Sequence, residues 1–309
     1  MSNIPVDMVF DDDPLEKLEE YAMIVLPNLV MLDELQITRL RKYAEQGGML
    51  FITGLPGIKA QDGTTRPLEK VLSLLGITSV PKKVTAEPSN FTVKYDGEES
   101  GTILGQQSEY IFEDAQNKGF LFAEKGVAGI WEKVGKGRIY WIPSGLSLDI
   151  LRPLNADRFQ RTEVRVQTPP NNADNIKKTM RLLMSPVKKA LPVAFEKIAE
   201  DRVATVYLSS DKKKLIVHVV NTENVYPKKP VMIGHSDLVP SFVSDYRPKE
   251  SEDTVLRLRE DFKISKAVLI SPENKEEIGI PVSVQEGSYV LSIPMESFYS
   301  YAAIVCDLE

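Results

Sequence analysis

The sequence predicts an α/β domain with a mostly parallel sheet, followed by an all-β sandwich domain. Residues 21–54 read as strand, helix and strand, which is the pattern of a right-handed βαβ unit. From about residue 193 onwards the chain contains short strand candidates that are rich in β-branched and aromatic residues. A length of 309 residues also favours two domains over one. We therefore predict one domain over residues 1–192 and a second over residues 193–309.

Composition and charge are those of an ordinary soluble globular protein. Hydrophobic residues make up 42% of the chain and charged residues 27%, and the net charge is −6. The basic residues form no block, so nucleic acid is not an expected partner. No apolar run is long enough to span a membrane, and no charged-then-apolar leader opens the chain. The single cysteine excludes an internal disulfide and a multi-cysteine zinc site, and it leaves the cellular compartment open.

Start and stop signals define the helix of the βαβ unit. Asp33 is a good N-cap, and Gln36 three residues later completes a variant of the capping box. Gly47 stands where a glycine commonly ends a helix. The flanking apolar runs 22–26 and 49–52 are typical of strands that are covered on both faces of a parallel sheet. We expect the apolar side of the helix to consist of Leu35, Ile37, Leu40 and Ala44.

The remainder of the first domain mixes strands with a second helix. Residues 4–10 alternate well enough for a strand, and a helix is predicted from residue 67 to its stop at Gly76. The three aspartates at 11–13 favour a solvated turn with an N-cap over a cation site, because they lack the alternation and glycine of a calcium loop. Residues 129–145 predict a hairpin whose turn contains residues 135–137 and whose second strand is residues 138–142.

A long segment with little periodicity, residues 143–171, follows that hairpin. Connections of this length are uncommon inside compact domains and tend to be functional or to order against a partner. The segment lies near the expected carboxyl edge of the sheet, where open α/β sheets bind ligands. An oligomer contact or a plain surface excursion is the alternative. The ligand-binding candidates are Asp149, Arg152, Asp157 and Arg158, and Arg161 belongs to the same charged run.

No pattern of a known catalytic centre is present. The sequence contains no GxSxG elbow, HExxH pair or phosphate-binding loop. Cys306 alternates with Ile304 and Ala302 on the final strand, so we expect a buried small hydrophobe and not a nucleophile. His218 and His235 have no second histidine or cysteine at metal-ligand spacing. We therefore predict structural roles for both histidines, with no metal site and no cofactor.

Two features bear on carbohydrate chemistry. The paired carboxylates of glycoside hydrolysis face each other across a cleft, and 44 acidic residues give no reason to choose one pair. Trp131, Tyr140 and Trp141 could stack on sugars, but they lie on predicted strands, where packing in the core is favoured.

The stretch YAMIVLPNLVMLDELQITRLRKYAEQGGMLFITG resembles the segment that follows the catalytic barrel in family-42 β-galactosidases and related glycoside hydrolases. There, a class I glutamine-amidotransferase-like α/β domain serves in trimerisation. The shared features are a strand that ends in Pro27, the helix start at Asp33, and Tyr43 ahead of the two glycines 47 and 48. RPLEKVLSLLGI and GKGRIYWIPSG resemble later parts of that domain. LIVHVVNTEN and SYVLSIPMESFYSYAAIVCDL resemble the small β domain that closes many such hydrolases.

The resemblance implies a flavodoxin-like, class I glutamine-amidotransferase-like fold for the first domain. The amidotransferase nucleophile cysteine and its histidine have no counterpart here, so no amidotransfer is expected. The catalytic barrel, with its sugar-cleaving residues, is absent from this sequence. In the family, a further strand and helix precede the strand at residues 4–10. We therefore expect a fragment of a longer protein, and the alternative is a variant that fills the gap differently.

The expected function is that of a non-catalytic assembly and accessory region of a glycoside-hydrolase-like protein in carbohydrate metabolism. The expected partners are further copies of the chain or the missing catalytic barrel, with carbohydrate as a candidate ligand and neither nucleic acid nor membrane. Two alternatives stay open: a glycosidase in its own right, or a carbohydrate-binding module. The module would use exposed aromatic residues of the β domain, such as Tyr246, Phe298 or Tyr299.

Overall fold

The computed structural model describes residues 7–10, 13–85, 88–95, 98–144, 182–190, 193–197, 202–221, 231–233, 237–239, 254–258, 263–272, 274–285, 288–293, 298 and 301–309. Contacts divide the chain into two compact units, one of residues 8–187 and one that includes residues 188–309. Within the described residues, no helix is long and apolar enough to cross a membrane.

The first unit contains a seven-stranded sheet and several short helices. The helices are α1 (Leu15–Leu18), α2 (Glu34–Gln46), α3 (Leu68–Leu75) and a 3₁₀ turn (Gln116–Lys118), and α4 (Ser185–Ala190) crosses the limit between the units. The strands are β1 (Met23–Pro27), β2 (Met49–Thr53), β3 (Lys82–Lys83), β4 (Pro88–Tyr95), β5 (Glu98–Gln107), β6 (Tyr110–Ile111), β7 (Gly119–Ala123), β8 (Gly126–Val134) and β9 (Gly137–Ile142).

Helix α2 begins and ends at the predicted signals. The Gln36 N–H donates to the Asp33 carboxylate (2.7 Å) and the Asp33 N–H donates to the Gln36 side chain (2.8 Å), which confirms the capping box. Gly47, with a φ of 126°, follows the last turn. Leu35 was expected on the buried side but is 59% exposed. At about 100° per residue it lies almost opposite Ile37 and Ala44, both fully buried.

The sheet is mixed, in the order β1-β2-β9-β8-β7-β4-β5. Strand β2 pairs in parallel with β1 and β9, and the remaining neighbours pair antiparallel. The α/β class is confirmed, but the sheet is not mostly parallel, and its flavodoxin-like detail is not confirmed. Two-residue connections join β7 to β8 and β8 to β9. Connections this short permit only antiparallel hairpins, because a parallel crossover needs a dozen or more residues.

Both faces of the central strands are buried. Helices α2 and α3 cover one face, whereas the opposite face packs against aromatic residues of β4 and β7. The first cluster includes Ile24, Leu26, Leu50, Ile52, Ile139, Trp141, Ile37, Leu40, Val71 and Leu75. The second includes Phe51, Tyr140, Ile142, Phe91, Phe120 and Leu183.

The segment before α1 differs from its prediction. Residues 7–10 form no strand, and residues 4–6 of the predicted strand lie outside the described residues. Asp13 accepts the Phe10 N–H (2.8 Å) and pairs with Lys17 (2.9 Å), so it belongs to a turn as predicted. The N-cap of α1 is Pro14, without a side-chain capping bond. Among the described residues, no group of histidine, cysteine and acidic side chains is arranged to hold a metal ion.

The second unit is rich in β-strands, as predicted. A four-stranded sheet has the order β10-β15-β19-β18 and a five-stranded sheet the order β11-β12-β20-β16-β17, both antiparallel. One buried cluster takes Val217, Leu269 and Ile304 from the larger sheet and Leu291 from the smaller one. That shared cluster favours the predicted sandwich. The strands are β10 (Val193–Lys197), β11 (Arg202–Leu208), β12 (Lys214–Asn221), β13 (Val231–Ile233), β14 (Asp237–Val239), β15 (Thr254–Leu258), β16 (Ile264–Ser271), β17 (Asn274–Gly279), β18 (Val282–Gln285), β19 (Ser288–Ile293) and β20 (Tyr301–Leu308).

Candidate functional site

The predicted ligand-binding residues lie outside the part of the chain that the structure describes. Asp149, Arg152, Asp157 and Arg158 all fall between residues 145 and 181, so their role stays a prediction. The described chain reaches Ser144, immediately after β9. The described residues therefore include the carboxyl edge of the parallel strands, to which that segment is attached.

Three parallel strands end side by side at this edge, because Pro27, Thr53 and Ile142 are in register. The Asn28 N–H donates to the Thr53 carbonyl (3.1 Å) and hydroxyl (3.0 Å), and its φ of 51° turns the chain sharply. The Gly54 N–H donates to the Ile142 carbonyl (2.8 Å), and the Gly54 carbonyl accepts the indole N–H of Trp141 (2.8 Å). These hydrogen bonds link the chain segments at the carboxyl ends of β1, β2 and β9.

Gly54 is required at this position. Its φ of 71° lies in the left-handed region, and an added Cβ would approach the Asn28 side-chain oxygen to 2.1 Å. A side chain at position 54 would therefore clash with Asn28 between the ends of β1 and β2.

The loop at residues 55–66 follows the carboxyl end of β2, where open α/β sheets bind ligands, but its described contacts are structural. The Lys59 N–H donates to the Val30 carbonyl (3.0 Å) and the Gly57 N–H to the Leu29 carbonyl (3.0 Å). One nitrogen of the Arg66 guanidinium donates to the Leu32 and Gly57 carbonyls at 2.6 and 2.8 Å. The loop is thus tied along residues 29–32.

Two buried serines lie beside the end of β9. The hydroxyls of Ser108 and Ser144 are 3.0 Å apart, and their further partners are main-chain groups of Glu109 and Tyr110. An activated serine needs a base within hydrogen-bond reach. None of the described hydrogen bonds of these hydroxyls involves a base, so the pair is a structural contact.

A buried carboxylate on β8, Glu132, was missed by sequence reasoning. Its side chain is 4% exposed and accepts the N–H groups of Thr78 (2.8 Å) and Ser79 (2.9 Å). Both hydroxyls of those residues and the Lys118 ammonium (3.1 Å) also donate to it. A signal was present, because Glu132 shares strand parity with the buried Ile130 and Val134.

Electrostatics keep Glu132 ionised. Burial raises the pKa of its carboxyl, but the hydrogen bonds from Ser79, Thr78 and Lys118 outweigh that effect and leave the pKa below its usual value. A general acid for glycoside hydrolysis needs the opposite shift. Glu132 therefore anchors the chain after α3 and the 3₁₀ turn to β8.

The aromatic residues of the β8–β9 hairpin pack in the core, as predicted. Tyr140 and Trp141 are buried, and Trp131 packs partly buried against the second cluster with the Arg138 guanidinium 4.9 Å from its ring centre. Edge-to-face contacts join Trp141 to Phe112 at 5.5 Å.

The reactive side chains of the second unit are equally constrained. Cys306 is fully buried, and burial, with a smaller effect from Asp307, raises the pKa of its thiol to about 12, which confirms its prediction as a small hydrophobe. Phe298 was named as an exposed aromatic, but it is 1% exposed and belongs to the core. Tyr246, Tyr299 and His235 lie outside the described residues.

Comparison with protein families decides what the first unit is related to. A family model described as "Beta-galactosidase trimerisation domain" matches residues 1–165. The chain belongs to this family. The resemblance derived from the sequence is thereby confirmed for the trimerisation domain. No match was found among curated proteins.

Solved structures resemble the trimerisation-domain chain over almost its whole length. The α-L-fucosidase isoenzyme 2 from Paenibacillus thiaminolyticus has a TM-score of 0.55 and 11% identity, covering 98% of this chain and 43% of its own. A β-galactosidase from Bacillus circulans sp. alkalophilus has a TM-score of 0.54 and 10% identity, covering 99% and 35%. The β-galactosidase from Rahnella sp. R3 has a TM-score of 0.47 and 15% identity, covering 94% and 34%. The chain therefore spans less than half the length of each of these three structures.

Proposed function

We propose that this chain is a non-catalytic assembly and accessory region of a glycoside-hydrolase-like protein in carbohydrate metabolism, and that it associates with further copies of itself. Two facts support the proposal. The matched family is named for trimerisation in β-galactosidases, and the match covers residues 1–165. The similar structures are glycosidases of which this chain covers only part.

The observation that carries the proposal is a set of exposed apolar side chains on β1 and shortly after it in the chain. Within the described part of the first unit, seven of the eight exposed large apolar side chains fall between residues 8 and 35. Five of them lie on β1, on the segment that follows it, and on the first turn of α2. We call these five the β1 edge: Val25, Leu29, Val30, Met31 and Leu35, exposed by 36–59%.

The position of these side chains suits a contact with a second protein surface. Strand β1 is the last strand of its sheet in the described order, and Val25 alternates with the buried Ile24 and Leu26. Apolar side chains concentrated at one place mark interaction surfaces, and edge strands are ready to pair with another chain. Charged side chains, chiefly lysine, are the usual means by which monomeric proteins protect such an edge. On β1, the exposed Val25 occupies a position where a charged side chain would protect the edge.

Sedimentation tests the proposal on the full chain. We expect the wild type to form a species larger than a monomer, and Val25→Lys or Met31→Lys to weaken association at least about tenfold, the equivalent of about 1.4 kcal/mol. Val80→Lys is the matched control, because Val80 is 55% exposed in the same unit but lies outside the β1 edge. A wild-type chain that stays monomeric at high concentration contradicts the proposal.

The non-catalytic part of the proposal has its own measurement. A panel of chromogenic glycosides should show no turnover by the purified chain above that of buffer. Saturable hydrolysis that survives repeated purification would instead support a glycosidase in its own right.

A further inference from the structure

Three aromatic rings form a row on one face of the five-stranded sheet. Tyr207 on β11, His218 on β12 and Tyr301 on β20 stand on three neighbouring strands. The centre of the His218 ring is 5.4 Å from that of Tyr207 and 5.8 Å from that of Tyr301. We call these three side chains the ring row.

The ring row lies on the side of the sheet away from the core. On β12, Val217 and Val219 are fully buried, so the intervening His218 faces outwards. Tyr207 is 57% exposed, and His218 and Tyr301 are half-buried. Strand register explains the row, because Tyr207 pairs with Ile216 and Tyr301 with Val220, which puts the two tyrosines diagonally on either side of His218.

Hydrogen-bonding atoms remain open along the edges of these rings. The Nδ1 atom of His218 is 2.5 Å from the Tyr301 hydroxyl, and this contact fixes the orientation of the imidazole. Neither the Nε2 atom of His218 nor the Tyr207 hydroxyl has a hydrogen-bond partner among the residues that the structure describes. The row therefore combines two nearly parallel rings, His218 and Tyr301 at 26°, with the Tyr207 ring at 77° to His218, and it has polar atoms at the ring rims.

Among the described residues, the strand neighbours of His218 are uncharged. Its cross-strand neighbours are Thr205 and Ala303, and its neighbours on the same face of β12 are Ile216 and Val220. The nearest ion pair on β12 joins Lys214 to Asp307, and Lys214 lies four residues, or about 13 Å, along the strand. These neighbours do not favour a charged ligand.

We propose that the ring row binds a neutral saccharide. The C–H faces of sugar rings pack against aromatic faces, and their hydroxyls exchange hydrogen bonds with groups such as the Nε2 atom of His218 and the Tyr207 hydroxyl. Successive rings of a linear saccharide follow one another at a spacing similar to that of the ring row. A protein segment would also tolerate the flanking Ile216 and Val220, but it does not require a row of rings with open polar rims. The proposal is independent of the assembly of the first unit.

Titration of the full chain with cellotetraose and with β-1,4-linked galactotetraose, followed by NMR, tests the proposal. The chain has two histidines, and His235→Gln identifies the imidazole signal of His218. We expect at least one of the two saccharides to move that signal saturably. Tyr207→Ala should weaken binding at least tenfold, and Tyr207→Phe, which keeps the ring, by less than fivefold. Calorimetry repeats the comparison without any need for signal assignment.

Val284→Ala is the control, because Val284 is 63% exposed but belongs to β18 of the other sheet. It should bind the saccharide as the wild type does. Thermal unfolding of each variant establishes that loss of binding is not loss of folding. The proposal is overturned if neither saccharide moves the His218 signal, or if Tyr207→Ala binds like the wild type. A shift that depends on protein concentration alone also overturns it, since the face would then be a contact between copies.

Discussion

Glu132 is the one charged residue among the buried side chains that the structure describes in the first unit. We predict that Glu132→Gln lowers the free energy of unfolding by about 2–3 kcal/mol, because hydrogen bonds to charged groups are the stronger ones and the new amide would direct N–H groups at other donors. Those donors are the main-chain N–H groups of Thr78 and Ser79. Denaturant unfolding measures the change. Glu124→Gln removes an exposed carboxylate of the same strand pair and should change stability by no more than about 0.5 kcal/mol.

The lowered pKa of the Glu132 carboxyl determines how the stability of the fold changes with pH. The pKa of Glu132 is lower in the folded chain than its usual value, so the unfolded chain binds a proton more readily. The stabilisation by the Glu132 carboxylate is therefore complete at pH values above the pKa of this group in the unfolded chain. It is lost as the pH falls through the pKa of this group in the folded chain. We expect the wild-type chain to lose stability relative to Glu132→Gln below about pH 4.5. If the difference in the free energy of unfolding between the wild type and Glu132→Gln does not change as the pH is lowered, this account is contradicted.

Residue-level predictions succeeded where the deciding contacts are local. The capping box of Asp33 and Gln36 depends on atoms three residues apart, and the alternation that buries Cys306 is a property of one strand. Phe298 was misjudged because nothing within its own segment reveals that it reaches the core. Glu132 was missed because its partners lie 14 to 54 positions away in the chain.

At the scale of elements, the sheet was predictable in one half only. The helix between β1 and β2 permits a parallel crossover, and the two strands are indeed parallel. The hairpin with a turn at residues 135–137 was predicted, and β8 and β9 do pair antiparallel, with a turn of two residues. The prediction of a mostly parallel sheet did not include the pairing of β4 with β5 and of β7 with β8, which are both antiparallel. Local turn lengths were a better guide there than the overall fold class.

The N-terminus of α2 provides the test at this scale. We predict that Asp33→Ala lowers the free energy of unfolding by about 1 kcal/mol, because the N–H of Gln36 loses its acceptor at an end where the helix has no internal partner for it. Asp33→Asn is the matched variant, since asparagine caps as well as aspartate. It should stay within about 0.5 kcal/mol of the wild type. Equal destabilisation by both variants would attribute the loss to the charge of Asp33 and not to the cap.

For the whole molecule, the change of pattern near residue 193 was readable because it needs no tertiary information. Helical periodicity ends and short strands take over, and the structure places two antiparallel sheets there. The family was identifiable because weak motifs recur in a fixed order, and the match covers residues 1–165. The four charged residues of the candidate ligand site stay a prediction, because they lie outside the described residues. Their segment has no periodicity, and such a segment gives no indication of which side chains converge.

The two units are predicted to unfold separately, because each has its own buried clusters. Both tryptophans, Trp131 and Trp141, belong to the first unit, so their fluorescence reports on that unit alone. Ile304→Ala, at a fully buried position of β20, should destabilise the second unit by about 2–5 kcal/mol. We expect this variant to shift the unfolding of His218, followed by NMR, and to leave the tryptophan transition unchanged. Leu72→Ala, in the core beside α3, should have the reverse effect. If either substitution moves both transitions equally, the chain unfolds as one cooperative body and the boundary near residue 192 has no thermodynamic meaning.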